Sequence, residues 1–166
     1  MSDINDLIEV VGVADSFPEL DGECNYWTQL TVAESFTIPE QKPDIEQLTK
    51  VVARVKIFSQ KIVRTPRSCG CNPAGQKVTG KKLIIEGKLK QKIFYAAEVE
   101  EQSIHAAHFQ QDFSTFIVVP EETKQHSKFR IDPYIEDIFV KQKGKRKVFK
   151  NVALFLHAVP TDCRCN

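Results

Sequence analysis

Val51-Val52-Ala53-Arg54-Val55-Lys56-Ile57 decides the fold. Val51, Ala53, Val55 and Ile57 alternate with mostly polar neighbours, the period of two that puts one face of a strand in a core. Ile62-Val63 carries the strand on to Thr65-Pro66. Downstream the pattern recurs. Lys82 to Lys90 and Lys92 to Val99 present Leu83, Ile85, Leu89, Ile93 and Tyr95 as apolar teeth, and Gly87 marks a bulge or a close backbone approach. Ser103 to Phe109 and Phe113 to Val119 read as two further strands, stopped by Pro120-Glu121-Glu122. Phe129 to Val140 is another, bent at Pro133, and Lys143-Gly144-Lys145-Arg146 turns it into Val148 to Val159.

Upstream, Trp27 to Val32 is a short strand, while Pro43 to Leu48 reads as one helical turn. Asp44 is its expected N-cap and Gln47 completes the capping box. Before Trp27, the apolar residues Leu7, Ile8, Val10, Val11 and Val13 suit a single strand, broken by Ser16-Phe17-Pro18 and Asp21-Gly22. Such an arm closes the protein's own sheet or adds to a neighbour's edge. The prediction is an all-β chain: an antiparallel, jelly-roll-like β-sandwich of about eight strands. It comprises an arm over residues 1–27, a sandwich over 28–159 and a tail over 160–166.

At 166 residues, 42% of them apolar, the chain buries a core without needing staples. A net charge of +1 supplies no global field toward nucleic acid or an anionic membrane, and no apolar run approaches spanning length. The acidic start Met1-Ser2-Asp3-Ile4-Asn5-Asp6 lacks the features of an export signal, so synthesis in a reducing compartment is expected.

Five cysteines sit uneasily with that expectation: Cys24, Cys69, Cys71, Cys163 and Cys165. Two pairs have one intervening residue, Cys69-Gly70-Cys71 in the loop from Arg67 to Gly80 and Cys163-Arg164-Cys165 in the tail. On an extended chain such partners lie on one face, roughly 6.6 Å apart, near the upper limit for a disulfide. Each pair therefore reads as a clasp seeking sulfur elsewhere. An odd total leaves at least one thiol without an intrachain partner if the others pair. Four thiolates could instead hold zinc, although structural zinc sites usually put two or more residues between paired cysteines.

No other constellation carries chemistry. His105 and His108, three apart on a strand, face opposite sides, and His126 and His157 are isolated. Glu98, Glu100 and Glu101, like Glu136-Asp137, read as solvated positions rather than a paired acid and base. Lys141, Lys143, Lys145, Arg146, Lys147 and Lys150 flank a hairpin, where lysines guard an edge strand, with polyanion binding as the alternative. No nucleophile elbow or phosphate loop is present, so no catalytic residue, cofactor or enzyme activity is expected. Tyr26 and Trp27 are candidates for a glycan surface, though core or edge packing explains them more simply.

Several stretches resemble the SPOCS family of β-domains in spore-coat and spore-morphogenesis proteins of endospore-forming bacteria. They are Ile38 to Gln47, Ile85-Glu86-Gly87 with Gln91 to Tyr95, Ser103 to Ala107, Pro133 to Val140 and Phe149 to Val152. The resemblance, from Thr28 to about Ala158, implies a non-enzymatic role in the spore's outer layers through protein–protein contact. None of the five cysteines is part of the matching motifs, and no LysM module accompanies the domain as in larger members. It also implies synthesis in the mother cell, oxidation on lysis, and late disulfides between chains. The expected function is a self-assembling subunit of the coat, exosporium or an appendage fibre, joined head-to-tail through the five cysteines. Its partners would be copies of itself and other coat proteins. The alternatives are an adaptor for a coat-assembly protein and a four-thiolate zinc module.

Overall fold

The computed structural model describes residues 8–73 and 75–162. Seven strands form two sheets: β1 (Glu9–Val11), β2 (Tyr26–Thr37), β3 (Ile45–Arg64), β4 (Lys81–Ala97), β5 (Ile104–Val118), β6 (Phe129–Gln142) and β7 (Lys147–Pro160). The first sheet has the order β1-β3-β4-β5 and the second β2-β7-β6. All pairings are antiparallel except β1 with β3, which is parallel. The sandwich expected from alternation is present.

Val51, Ala53, Leu83, Ile85, Leu89 and Ile93 from the first sheet meet Val148, Val152, Leu154 and Leu156 from the second, and all are almost fully buried. The alternate residues of β4, among them Lys88, Lys90 and Lys92, face outward. Gly87 is a close approach: a Cβ there would stand 2.4 Å from Cζ of Phe113, whose ring fills the space. The register of β3 against β4 also slips beside it, between Ile57 and Ser59.

Two local expectations are corrected. Ile45 to Leu48 belongs to a strand, not a helical turn. Register shifts between Ile45 and Gln47 and between Leu48 and Lys50 bring both Ile45 and Leu48 to the buried face. Bulges thereby imitate a helical spacing of three. Asp44 is not a helix cap but pairs with Arg146 at 2.6 Å. The expected strand pairs are single strands: Lys82 to Lys90 and Lys92 to Val99 are joined in β4 (Lys81–Ala97), and Ser103 to Phe109 and Phe113 to Val119 are joined in β5. Ile104–Val118 runs unbroken as β5, and the seven strands among the described residues come near the eight expected.

The arm joins its own sheet through Glu9–Val11 on the β3 edge. It then crosses to the second sheet, where Val13 bridges Ile135 and the Ala14 N–H donates to the Ile135 carbonyl at 2.9 Å. Next it passes over the outer face of that sheet. Phe17 stacks on Phe155 at 4.8 Å and meets Tyr134 edge-on at 5.8 Å, while Asn25 bonds His157 at 2.9 Å. Phe155 and His157 occupy outward positions of β7 yet are only 3% exposed, because the arm and Trp27 cover them.

Candidate functional site at the cysteine pole

Register fixes where the sulfurs lie. Arg64 pairs with Lys81, Lys82 with Val118, Phe129 with Pro160 and Tyr26 with Ala158, so these strand ends gather at one pole of the sandwich. A second core cluster seals that pole, joining Ile62, Leu83, Ile117 and Val119 to Phe129, Leu156 and Ala158. Three features issue from it: the Cys69/Cys71 loop between β3 and β4, the turn bearing Cys24 before β2, and the chain leaving β7 toward the tail. The tail pair itself, Cys163 and Cys165, lies outside the described residues.

The loop is ordered by its own hydrogen bonds. The Ser68 N–H donates to Val78 at 3.3 Å and the Asn72 N–H to Gln76 at 3.1 Å, with Cys71 bridged to Lys77 between them. The Asn72 side chain accepts from the Gln76 N–H at 2.9 Å and donates to the Gln76 side chain at 3.1 Å. An ion pair between Arg67 and Glu121 ties the loop's base to the segment after β5. Cys69 and Cys71 are exposed at the end of this hairpin, and both are free thiols. Cys24 is disulfide-bonded and adopts a left-handed backbone (φ 69°). The pole thus carries a bonded sulfur and, on a separate projection, two free ones.

Beside Cys24, Tyr26, Pro120, Glu122, Phe129 and Pro160 line a recess of about 230 Å³. Burial raises the Tyr26 phenol above its ordinary value, with Glu122 and Glu23 adding to the effect. Neither this recess nor any other place among the described residues gathers three or more His, Cys, Asp or Glu able to hold a metal ion. The zinc alternative needs Cys163 and Cys165, outside those residues.

The remaining candidates are dispersed. His105 stacks on Tyr95 at 5.8 Å on the inner side, whereas His108 is exposed. Glu98 pairs with Lys145 at 2.9 Å, and Glu136 accepts from Gln29 at 2.6 Å. Trp27 stacks on Phe155 at 5.7 Å while staying 49% exposed, and Tyr26 meets Phe129 edge-on at 6.2 Å. The basic hairpin is partly structural. Arg146 donates to the carbonyls of Ile38, Pro39 and Lys42, and Lys150 points into the core. Sequence reading missed that burial. The sole signal was parity, since Lys150 shares a strand face with Val148 and Val152.

Residues 44–143 match the model of the SipL, SPOCS domain, which takes in β3 to β6. The chain belongs to that family. The match leaves out β2, β7, the arm and the tail, so Cys24, Cys163 and Cys165 fall outside this SPOCS core and the Cys69/Cys71 loop falls inside it. No significant match is found among curated proteins or solved structures.

Proposed function

We propose that this SPOCS-domain protein is a structural subunit of the spore surface: coat, exosporium or appendage fibre. It assembles head-to-tail with copies of itself and is cross-linked by disulfides between subunits. The observation that carries the reading is the pair of exposed free thiols, Cys69 and Cys71, on a hydrogen-bonded projection at the pole that also bears Cys24. A buried cysteine is inert, whereas an exposed thiol can become the attacking thiolate.

Two routes join neighbours. In exchange, the Cys69 or Cys71 thiolate attacks the disulfide of a neighbouring subunit. One S–S bond breaks as another forms, and the displaced thiolate takes up a proton. Alternatively, two thiols, one from each copy, give two electrons and two protons to dioxygen once the surrounding cell has lysed. Cys24, whose existing disulfide can be attacked only in exchange, and Cys163 and Cys165 are the counterpart sulfurs. No enzyme activity, cofactor or metal enters. Covalent joints add resistance to unfolding and dissociation, as a dormant spore requires.

Electrophoresis of native material with and without reductant tests the reading. A ladder of multiples that collapses to monomer on reduction is expected. Monomer in both lanes overturns it. An adaptor that binds a coat-assembly protein through the same domain is the second reading, favoured by family membership alone. It stays monomeric or dimeric at every concentration in light scattering.

A further inference from the structure

The outer face of the first sheet is predominantly basic, and the arm that lies over the second sheet is acidic. On the outer face of the first sheet, Arg54 lies directly opposite Lys90 and Lys56 directly opposite Lys88, with Lys92 next along β4. Facing like charges destabilise a strand pair. Asp112 lies 3.7 Å from Lys88, and Glu86 precedes Lys88 on the same face of β4, which leaves Arg54, Lys56, Lys90 and Lys92 in excess. Between these side chains lies a groove of about 240 Å³, lined by Val52, Arg54, Lys90, Lys92, His108 and Gln110. The arm covers part of the other broad face, where Arg130, Lys141 and Lys147 are exposed at outward strand positions outside the arm's acidic stretch. From Asp15 to Trp27 the chain has no Lys or Arg, and Asp15, Glu19, Asp21 and Glu23 are exposed, while Glu9, on the β3 edge of the first sheet, pairs with Lys50. Asp137 is exposed on β6, beside the same face. With a net charge of only +1, the protein has sorted its charges rather than accumulated one sign.

We infer that the basic outer face of the first sheet docks on the acidic arm over the second sheet of another copy, stacking the sandwiches face to back. The inference rests on the proposed self-assembly and supplies its non-covalent contact. Joining unlike faces is heterologous, so the stack does not close on itself. It also explains why the sulfurs share one pole. In a face-to-back stack the poles line up along one side. The Cys69/Cys71 loop, which extends from the first sheet, then reaches toward Cys24 at the start of the second sheet in the adjacent copy.

Charge reversal under reductant separates this contact from the disulfides. The face variant is Lys88→Glu/Lys90→Glu/Lys92→Glu, and the back variant is Asp15→Lys/Glu19→Lys/Asp21→Lys/Glu23→Lys. Reduced wild-type protein is expected to associate at low ionic strength and to dissociate as salt rises. Each variant alone should remain monomeric in sedimentation, while an equimolar mixture should associate, which also shows that both are folded. The inference is overturned if either variant associates like wild type or if the mixture stays monomeric. It is equally overturned if the face variant loses binding to inorganic polyphosphate with association unchanged, since the face would then be a polyanion site. Reduced wild type that stays monomeric at low salt, yet forms interchain disulfides when oxidised, overturns the stacking and leaves the cross-linked subunit standing. Salt-sensitive association without interchain disulfides does the reverse.

Discussion

Glu34 and Lys150 face each other across β2 and β7, their side chains 3.3 Å apart, and the lysine has no exposed side-chain surface. The ammonium lies 5.4 Å from the centre of the Phe36 ring, itself stacked on Phe109. Burial lowers the Lys150 pKa, and Glu34 opposes that shift. Removing Glu34 strands a buried charge, so Glu34→Ala should destabilise by about 2 kcal/mol, discounted for the partial exposure of the carboxylate. Lys150→Met removes the charge instead and should be neutral or stabilising by about 1–4 kcal/mol. Urea denaturation of the reduced proteins measures both. Equal losses would mean that the pair supplies net stability.

His157 fastens the arm by its bond to Asn25, and burial, partly offset by Asp132, lowers its pKa below the ordinary 6.5. In the window below 6.5 the unfolded chain therefore binds more protons than the folded one, and stability rises with pH. Acidification from pH 7 should weaken the protein and loosen the arm first. The protection factor of the Ala14 amide, whose N–H is held by Ile135, should fall more on acidification in wild type than in His157→Gln.

Gly87 has no room for a side chain beneath the Phe113 ring. Gly87→Ala should cost about 1–3 kcal/mol from overpacking. In the Phe113→Leu background the same substitution should cost less, because the ring atoms that the new methyl would meet are gone. A double-mutant cycle reads the difference, and additive costs would contradict the contact.

Much of this architecture was legible because it follows strand parity. The alternation of Val51, Ala53 and Val55 and the teeth of β4 named the buried face correctly. Parity fails at bulges, which is why Ile45 to Leu48 imitated a helical turn. It also fails where a second layer covers an outward position. Nothing local marks Phe155 and His157 as buried, since what covers them is an arm well over a hundred residues earlier in the chain. The cysteine spacings were legible, but their gathering at one pole depends on the register of four strand pairings. The opposition of the basic face and the acidic arm depends likewise on which strands share a sheet.

The Cys69/Cys71 loop touches the core only through its base. Cys69→Ser/Cys71→Ser should therefore shift the unfolding free energy of reduced protein by no more than about 0.5 kcal/mol. The same variant should lose the interchain ladder in electrophoresis. A large loss of monomer stability would assign these sulfurs to the fold rather than to assembly.

Isotope mixing tests the central claim most directly. Subunits labelled with ¹⁵N and unlabelled subunits are mixed while reduced, allowed to assemble and oxidise, then digested without reductant for mass spectrometry. Disulfide-linked peptides containing Cys69 or Cys71 with one heavy and one light member are the predicted result. Linked peptides that are exclusively heavy–heavy or light–light, or Cys69 and Cys71 recovered unlinked, would contradict it.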